Sequence, residues 1–186
     1  ERAKAGVVLK PVPAAATPDP REVVIALGPA FATLLDSTLC GLTHAQTLQA
    51  LVAGIESQGL KARLVKVFAT ADCGMIGFEG ARLSGSGTAI GLQSKGTAVI
   101  TRKGLAPLNN LELFGQAPLL SEQAYRQIGA NAASHALRVP PSPVPVRVDN
   151  MARLRLIVHA TLMHKREIAA IEPGRAPVEM EARYEP

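Results

Sequence analysis

Val23-Val24-Ile25-Ala26-Leu27-Gly28-Pro29 is the stretch that decides the fold. An apolar run with no polar face, closed by a glycine–proline break, is the pattern of a strand covered on both sides, as in parallel sheets flanked by helices. The residues that follow agree. Thr43 and Gln46 form a Thr-x-x-Gln capping pattern. Leu48, Leu51, Val52 and Ile55 then fall on one helical face, and Gly59 ends the segment as a left-handed cap. Ala62 to Phe68 reads as a second strand. Strand, helix and strand over this length make the two strands parallel neighbours, with the helix crossing one face. Ligands bind such open sheets beyond the carboxyl ends of the strands. Gly28-Pro29 and Thr70-Ala71-Asp72 both fall there, and Asp72 is also suited to cap a following helix.

Outward from this unit the signals vary in strength. Residues 1 to 20 hold Pro11, Pro13, Pro18 and Pro20 and are expected to form an extended arm rather than a packed element. Residues 73 to 80 fit a short helix or a strand equally. Ile90-Gly91-Leu92 and Ala98-Val99-Ile100 look like short strands flanking a Gln-Ser-Lys-Gly turn. Residues 104 to 120, with Pro107, Asn109-Asn110 and Pro118, read as an ordered loop whose many leucines imply a cover. Ser121 caps a second helix, in which Ala124, Ile128, Ala132 and Ala136 recur every four residues and Gly129 implies close packing. Pro140 to Pro145 form a stiff spacer. Residues 151 to 171 fit either strand or helix, and the last residues are expected to be loosely held. The organisation expected is an arm over 1–20, an α/β domain over 21–139, and a spacer with a C-terminal extension over 140–186.

The chain is 47% hydrophobic, 19% charged and 3% aromatic, with no Trp, so its core must be built of Leu, Val, Ile and Ala. A net charge of +5 includes the late cations Arg147, Arg153, Arg155, Lys165, Arg166 and Arg175. With so few aromatic platforms, nucleic acid is not the expected partner; an acidic protein surface or solvent is. No apolar run reaches membrane-spanning length, and no secretory signal is read. Cys40 and Cys73 make no disulfide framework, which fits a reducing cytosol, and both are expected as small buried groups.

The stretch Leu83-Ser-Gly-Ser-Gly-Thr-Ala-Ile-Gly-Leu-Gln-Ser-Lys-Gly-Thr97 carries the strongest chemical hint. Glycine-rich backbone amides with a lysine beside them suit an anion, although a tight structural turn has the same composition. Known nucleotide motifs fail. Gly85, Gly87 and Gly91 are one residue too long for G-x-G-x-x-G, and Lys95 lies in no P-loop frame. No G-x-S-x-G elbow occurs. His44, His135, His159 and His164 pair with nothing at metal-ligand spacing. His44 is expected in the first turn of its helix and His135 on an exposed helix face. Asp72 and Glu79 would be a solvated pair. The residues alone describe an α/β binding module without a catalytic set.

A series of segments in fixed order resembles the medium, or β, subunit of adenosylcobalamin-dependent diol and glycerol dehydratases. It comprises Gly-Pro-Ala-Phe (28–31), Ala-Gly-Ile-Glu (53–56), Gly-Leu-Lys-Ala-Arg (59–63), Leu-Ser-Gly-Ser-Gly (83–87), and Ile-Gly-Leu-Gln-Ser-Lys-Gly-Thr (90–97). Pro-Leu-Asn-Asn-Leu-Glu-Leu-Phe (107–114), Gln-Ala-Pro-Leu-Leu (116–120) and Tyr-Arg-Gln-Ile-Gly (125–129) follow. The resemblance implies a Rossmann-like, open and mostly parallel sheet with flanking helices. It implies that adenosylcobalamin lies between this chain and a large barrel subunit that dehydrates 1,2-diols or glycerol by a radical route. A small γ subunit would complete the protomer, two αβγ protomers would pair, and a reactivating factor would exchange damaged cofactor. Lys95 would neutralise the phosphodiester of the cobalamin tail, Asp72 and Asn110 would hydrogen-bond it, Leu108 would pack on the benzimidazole, and Ser94 and Gly115 would border the pocket. Relatives often have proline where Gly115 stands. No D-x-H-x-x-G stretch is present, which implies the base-on cofactor. No catalytic residue and no metal ligand are expected on this chain. The implied location is the cytoplasm, or a bacterial microcompartment, although the arm does not resemble the targeting helix of some medium subunits. The other readings are the small subunit of the dehydratase-reactivating chaperone, which shares the fold, and a free-standing nucleotide-binding module.

Overall fold

A computed structural model describes residues 6–115 and 119–186. The first five residues of the arm, and Gln116, Ala117 and Pro118 of the Gln-Ala-Pro-Leu-Leu block, lie outside the described residues. In chain order the elements are β1 (Gly6–Pro11), β2 (Glu22–Leu27), α1 (His44–Ser57), β3 (Lys61–Lys66), α2 (Cys73–Leu83) and β4 (Thr88–Leu92). Then come β5 (Ala98–Arg102), β6 (Glu112–Phe114), α3 (Glu122–Ala136), α4 (Ala152–Ala169) and β7 (Val178–Glu185).

The strands form one seven-stranded sheet in the order β1-β7-β3-β2-β4-β5-β6. The α/β class expected from sequence holds, and the open sheet with it. The expectation of a mostly parallel sheet does not. β2 runs parallel to β3 and β4, whereas β1–β7, β3–β7, β4–β5 and β5–β6 are antiparallel. The reason is connection length. Only the Gln93–Thr97 turn separates β4 from β5, and a parallel crossover needs about a dozen residues.

β2 is buried along its whole length, as its apolar run requires. Val23, Ile25 and Leu27 join the core under α1 and α3, while Val24 and Ala26 face α2. Each of the valine, isoleucine and leucine side chains contributes about 1.5–3 kcal/mol. α1 starts at the expected capping box: the Thr43 side chain accepts from the Gln46 amide at 3.1 Å, and Gln46 Oε1 accepts from the Thr43 amide at 3.0 Å. α1 and α3 touch backbone to backbone. A β-carbon on Gly54 would overlap the Arg126 carbonyl, and one on Gly129 would overlap Leu51.

Three undecided or loose segments resolve into regular elements. Residues 73–80 belong to α2, and most of 151–171 is α4, whose buried side chains Ala160, Met163 and Glu167 follow helical spacing. The C-terminal residues are not loosely held: β7 inserts between β1 and β3. The arm is extended over Gly6–Pro11 as expected, but it is packed, because β1 pairs with β7. Within the 104–120 loop, Glu112–Phe114 forms the edge strand β6.

Candidate functional site

The glycine-rich stretch Leu83–Thr97 is two structures, not one anion loop. Gly85 and Gly87 lie where α2 returns to β4, at the amino ends of the parallel strands. There the Gly85 amide donates to Glu22 Oε1 at 2.9 Å, and the same carboxylate takes Arg63 at 2.7 Å, so the first loop is occupied by the protein's own ion pair. Gln93-Ser94-Lys95-Gly96 lies at the carboxyl ends, the whole of β4 away, roughly 13 Å.

That second turn is held on every carbonyl. Ser94 O accepts from His44 Nε2 at 2.7 Å, Lys95 O from the Leu39 amide at 2.9 Å, and Gly96 O from the Tyr125 hydroxyl at 2.6 Å. Gly96 adopts φ 104°, a left-handed conformation that favours glycine. His44 stands in the first turn of α1 as expected, stacked on Phe31 with ring centroids 3.8 Å apart. Its Nδ1 accepts from the Ala32 amide at 3.0 Å, which leaves Nε2 as the protonated nitrogen. Burial keeps this imidazole neutral and moves its pKa down to about 4. Ser94 is wholly buried, and its amide donates to Glu167 Oε1 at 3.4 Å. Only the Lys95 side chain leaves the turn; it is half-buried and forms no ion pair within 4 Å among the described residues. Burial lowers its pKa, with Cys73 and Glu167 opposing.

The amino end of α2 adjoins the turn. Cys73 Sγ lies 3.3 Å from Thr97 O, and burial pushes the thiol up to about 12, so it is inert. Asp72 is the N-cap expected of it: Oδ1 accepts from the Met75 amide at 2.8 Å, and the residue is exposed. A β-carbon at Gly74 would lie 3.3 Å from Asp72 Oδ1 and 3.7 Å from Leu108 Cδ2, which puts Leu108 over the first turn of α2. Leu108 is 74% exposed, so no part of the described chain covers it. Gly115 follows Phe114, the partner of Ala98, and so sits at the same edge with open space beside it. Asn110 lies further along, before Leu111, whose amide donates to Ile100 O at 2.8 Å. Its Oδ1 is buried with no partner among the described residues. Lys95, Asp72, Leu108 and Gly115 thus share one edge, Ser94 lies beneath it, and Asn110 flanks it.

α4 supplies what the sequence did not single out. A cleft of about 490 Å³ opens between Lys95, Leu39 and the α4 residues Arg153, Ile157, Thr161 and His164. His164 Nδ1 is buried without a partner among the described residues. Burial lowers the His164 pKa, Lys95 pushes the same way and Asp72 opposes, so the three groups share one field. The spacing 153, 157, 161, 164 is a helical face, a signal legible once this segment is known to be helical. His135 is not on an exposed face; it packs 3.7 Å from Glu112. Glu79 pairs with Arg82 at 3.4 Å instead of Asp72, and Cys40 is half-buried rather than buried. No group of three or more His, Cys, Asp or Glu placed to hold a metal occurs among the described residues.

The family model for the dehydratase medium subunit matches residues 28–142. The chain belongs to the dehydratase medium subunit family. The matched span carries the Lys95 turn, Asp72 and the Leu108 loop of this family member, and stops before α4. Among solved structures, the chain is similar to a glycerol dehydratase reactivase at TM-score 0.55 and 23% identity, covering 66% of this chain and 97% of that one. It is also similar to a chain in the structure of diol dehydratase-reactivating factor complexed with ADP and Mg2+, at TM-score 0.51 and 20% identity, covering 69% of this chain and 100% of that one. At these identities the likeness is one of fold.

Proposed function

We propose that this chain is the medium subunit of an adenosylcobalamin-dependent diol or glycerol dehydratase. It binds the nucleotide tail of the base-on cofactor where it meets a large barrel subunit. The observation that carries this reading is Lys95, a half-buried ammonium without an ion-pair partner among the described residues, set on a turn whose carbonyls are all directed inward. The α2 amino end beside it adds partial positive charge. The residues present fit the group: a cation for the phosphodiester, an uncovered Leu108 for the flat base, and the unpartnered Asn110 Oδ1 and exposed Asp72 for its polar atoms.

When bound, adenosylcobalamin supplies the radical that starts dehydration; that chemistry belongs to the cofactor and the large subunit. This chain binds and orients. Lys95 holds the phosphodiester, Asp72 and Asn110 hydrogen-bond the tail, Leu108 excludes water from one side of the base, Ser94 anchors the turn from below, and Gly115 leaves the loop edge open. A small subunit completes the protomer, protomers pair, and a reactivating factor services the complex. The setting is the cytoplasm or a bacterial microcompartment.

The test uses the chain co-purified with its large and small subunits. A charge-assisted contact is worth about 1.5–3 kcal/mol, so Lys95→Ala should weaken adenosylcobalamin binding roughly 10- to 100-fold. Unchanged affinity at moderate salt refutes the assignment. The second reading, a small subunit of the reactivating chaperone, is favoured by the fold of the two solved neighbours. It predicts a chain that exchanges with a medium subunit and retains no corrinoid.

A further inference from the structure

Glu167 lies on α4 three residues past His164, the last of the residues lining the cleft, yet its carboxylate reaches the core. The residue is 2% exposed. It occupies the space at the end of β2 that Gly28 leaves bare, because a β-carbon on Gly28 would overlap Glu167 Oε1. The same oxygen accepts from the Ser94 amide. Lys66, buried at the end of β3 with its ammonium donating to Phe31 O at 3.0 Å, offsets its charge. Among the other holds on the Lys95 turn, the Gln93 side chain donates to Ala71 O at 2.6 Å, and His44, Tyr125 and Leu39 reach in from α1, α3 and the loop between β2 and α1. Those three grip carbonyls. Glu167 alone grips an amide of the turn from α4, beside Ala160 and Met163, which pack on Ala30, Leu35 and Leu39.

We infer that Glu167 is a positioning residue that locks the Lys95 turn to α4, so that the docking of α4 sets the reach of Lys95 toward an anionic ligand. The inference rests on the function proposed above and concerns the same site. Glu167 touches no ligand itself. Its effect passes through the Ser94 amide, one peptide from Lys95, and it operates only while α4 is seated. Because the role needs an acceptor rather than a charge, glutamine should replace glutamate, and removal of a nearby negative charge should not weaken anion binding. Aspartate, one methylene shorter, should fail to reach.

The experiment compares adenosylcobalamin with adenosylcobinamide, which lacks the nucleotide tail, on the complex with the partner subunits. The dissociation constant for adenosylcobinamide divided by that for adenosylcobalamin isolates the tail. Expected for Glu167→Ala is a ratio reduced at least five-fold with cobinamide affinity kept, whereas Glu167→Gln retains the parental ratio. If the alanine variant does not assemble, Glu167→Asp must show the same loss. A ratio unchanged in the alanine or aspartate variant, or a glutamine variant as impaired as alanine, overturns the inference. Lys95→Ala in the same assay separates the two claims: if it leaves the ratio unchanged, the tail-binding function itself fails, whatever Glu167 does.

Discussion

The two helical sides of this molecule are built to different standards. Under α1 and α3 the sheet is sealed: the helices meet at Gly54 and Gly129, and fully buried Leu48, Leu51, Ile55, Tyr125 and Ile128 fill the space. α4 touches the body through Ala152, Ala160, Met163 and Glu167 and leaves Leu154, Val158 and Leu162 facing outward. The first side closes one face of the sheet. The second borders the Lys95 cleft. The function proposed above calls for both, since a surface that meets a partner and a ligand cannot also be finished by its own chain. The turn between them is where the two meet, with carbonyls gripped from the sealed side and one amide from α4.

The largest effect that can break this contrast is acid. His44 belongs to the sealed side and is neutral when folded, with its pKa moved down to about 4 from an ordinary 6.5. The unfolded chain takes the proton first. The contribution of His44 is therefore present above pH 6.5 and is lost as pH falls toward 4, by about 3 kcal/mol in all. Burial raises the Glu167 pKa, which slopes the opposite way. The measurement is thus the difference in urea midpoint between the protein and His44→Gln at pH 7 and pH 4.5. Equal midpoint shifts would mean that the imidazole is not sealed.

A smaller effect tests the helix contact. Gly129→Ala places a methyl against Leu51, and overpacking of this kind costs about 1–3 kcal/mol. The gain in helix propensity, about 1 kcal/mol, offsets part of it. A net loss of about 1–2 kcal/mol in denaturant unfolding is expected, with no change in tail selectivity. The smallest effect belongs to α4. Leu154→Ser with Val158→Ser should shift the stability of the isolated chain by no more than about 0.5 kcal/mol per site and reduce its self-association in light scattering. A large loss of stability would show that this face is core after all.

How much was legible in the residues follows the same division. β2 announced itself because strands buried on both faces cannot alternate. The Thr43–Gln46 box and the Ser121 and Asp72 caps were readable because capping is local, with donor and acceptor three residues apart. α4 was not readable, since its apolar residues point both inward and outward and so blur the helical period. The pairing of β1 with β7 joins residues from opposite ends of the chain, which no local pattern encodes. Lys95 was picked by the glycine-rich stretch around it, Asp72 by its place beyond a strand end, and Leu108 by resemblance; that they share an edge is a fact of topology. Arg153 and His164 were passed over because their segment had no assigned helix to put them on a face.

By itself the sequence determined the local units: that β2, β3, β4 and β5 are strands, where α1 and α3 begin, and that a lysine stands in a short turn between two strands. These depend on neighbours a few residues apart, and short-range sterics and hydrogen bonds decide them. The tertiary structure alone decided that the sheet is mixed, that both ends of the chain share one edge, and that the glycine-rich stretch is split. It alone brought Glu167 against Gly28 and Ser94. Contacts between residues distant in sequence arise only when burial of the whole apolar surface selects one arrangement of the elements.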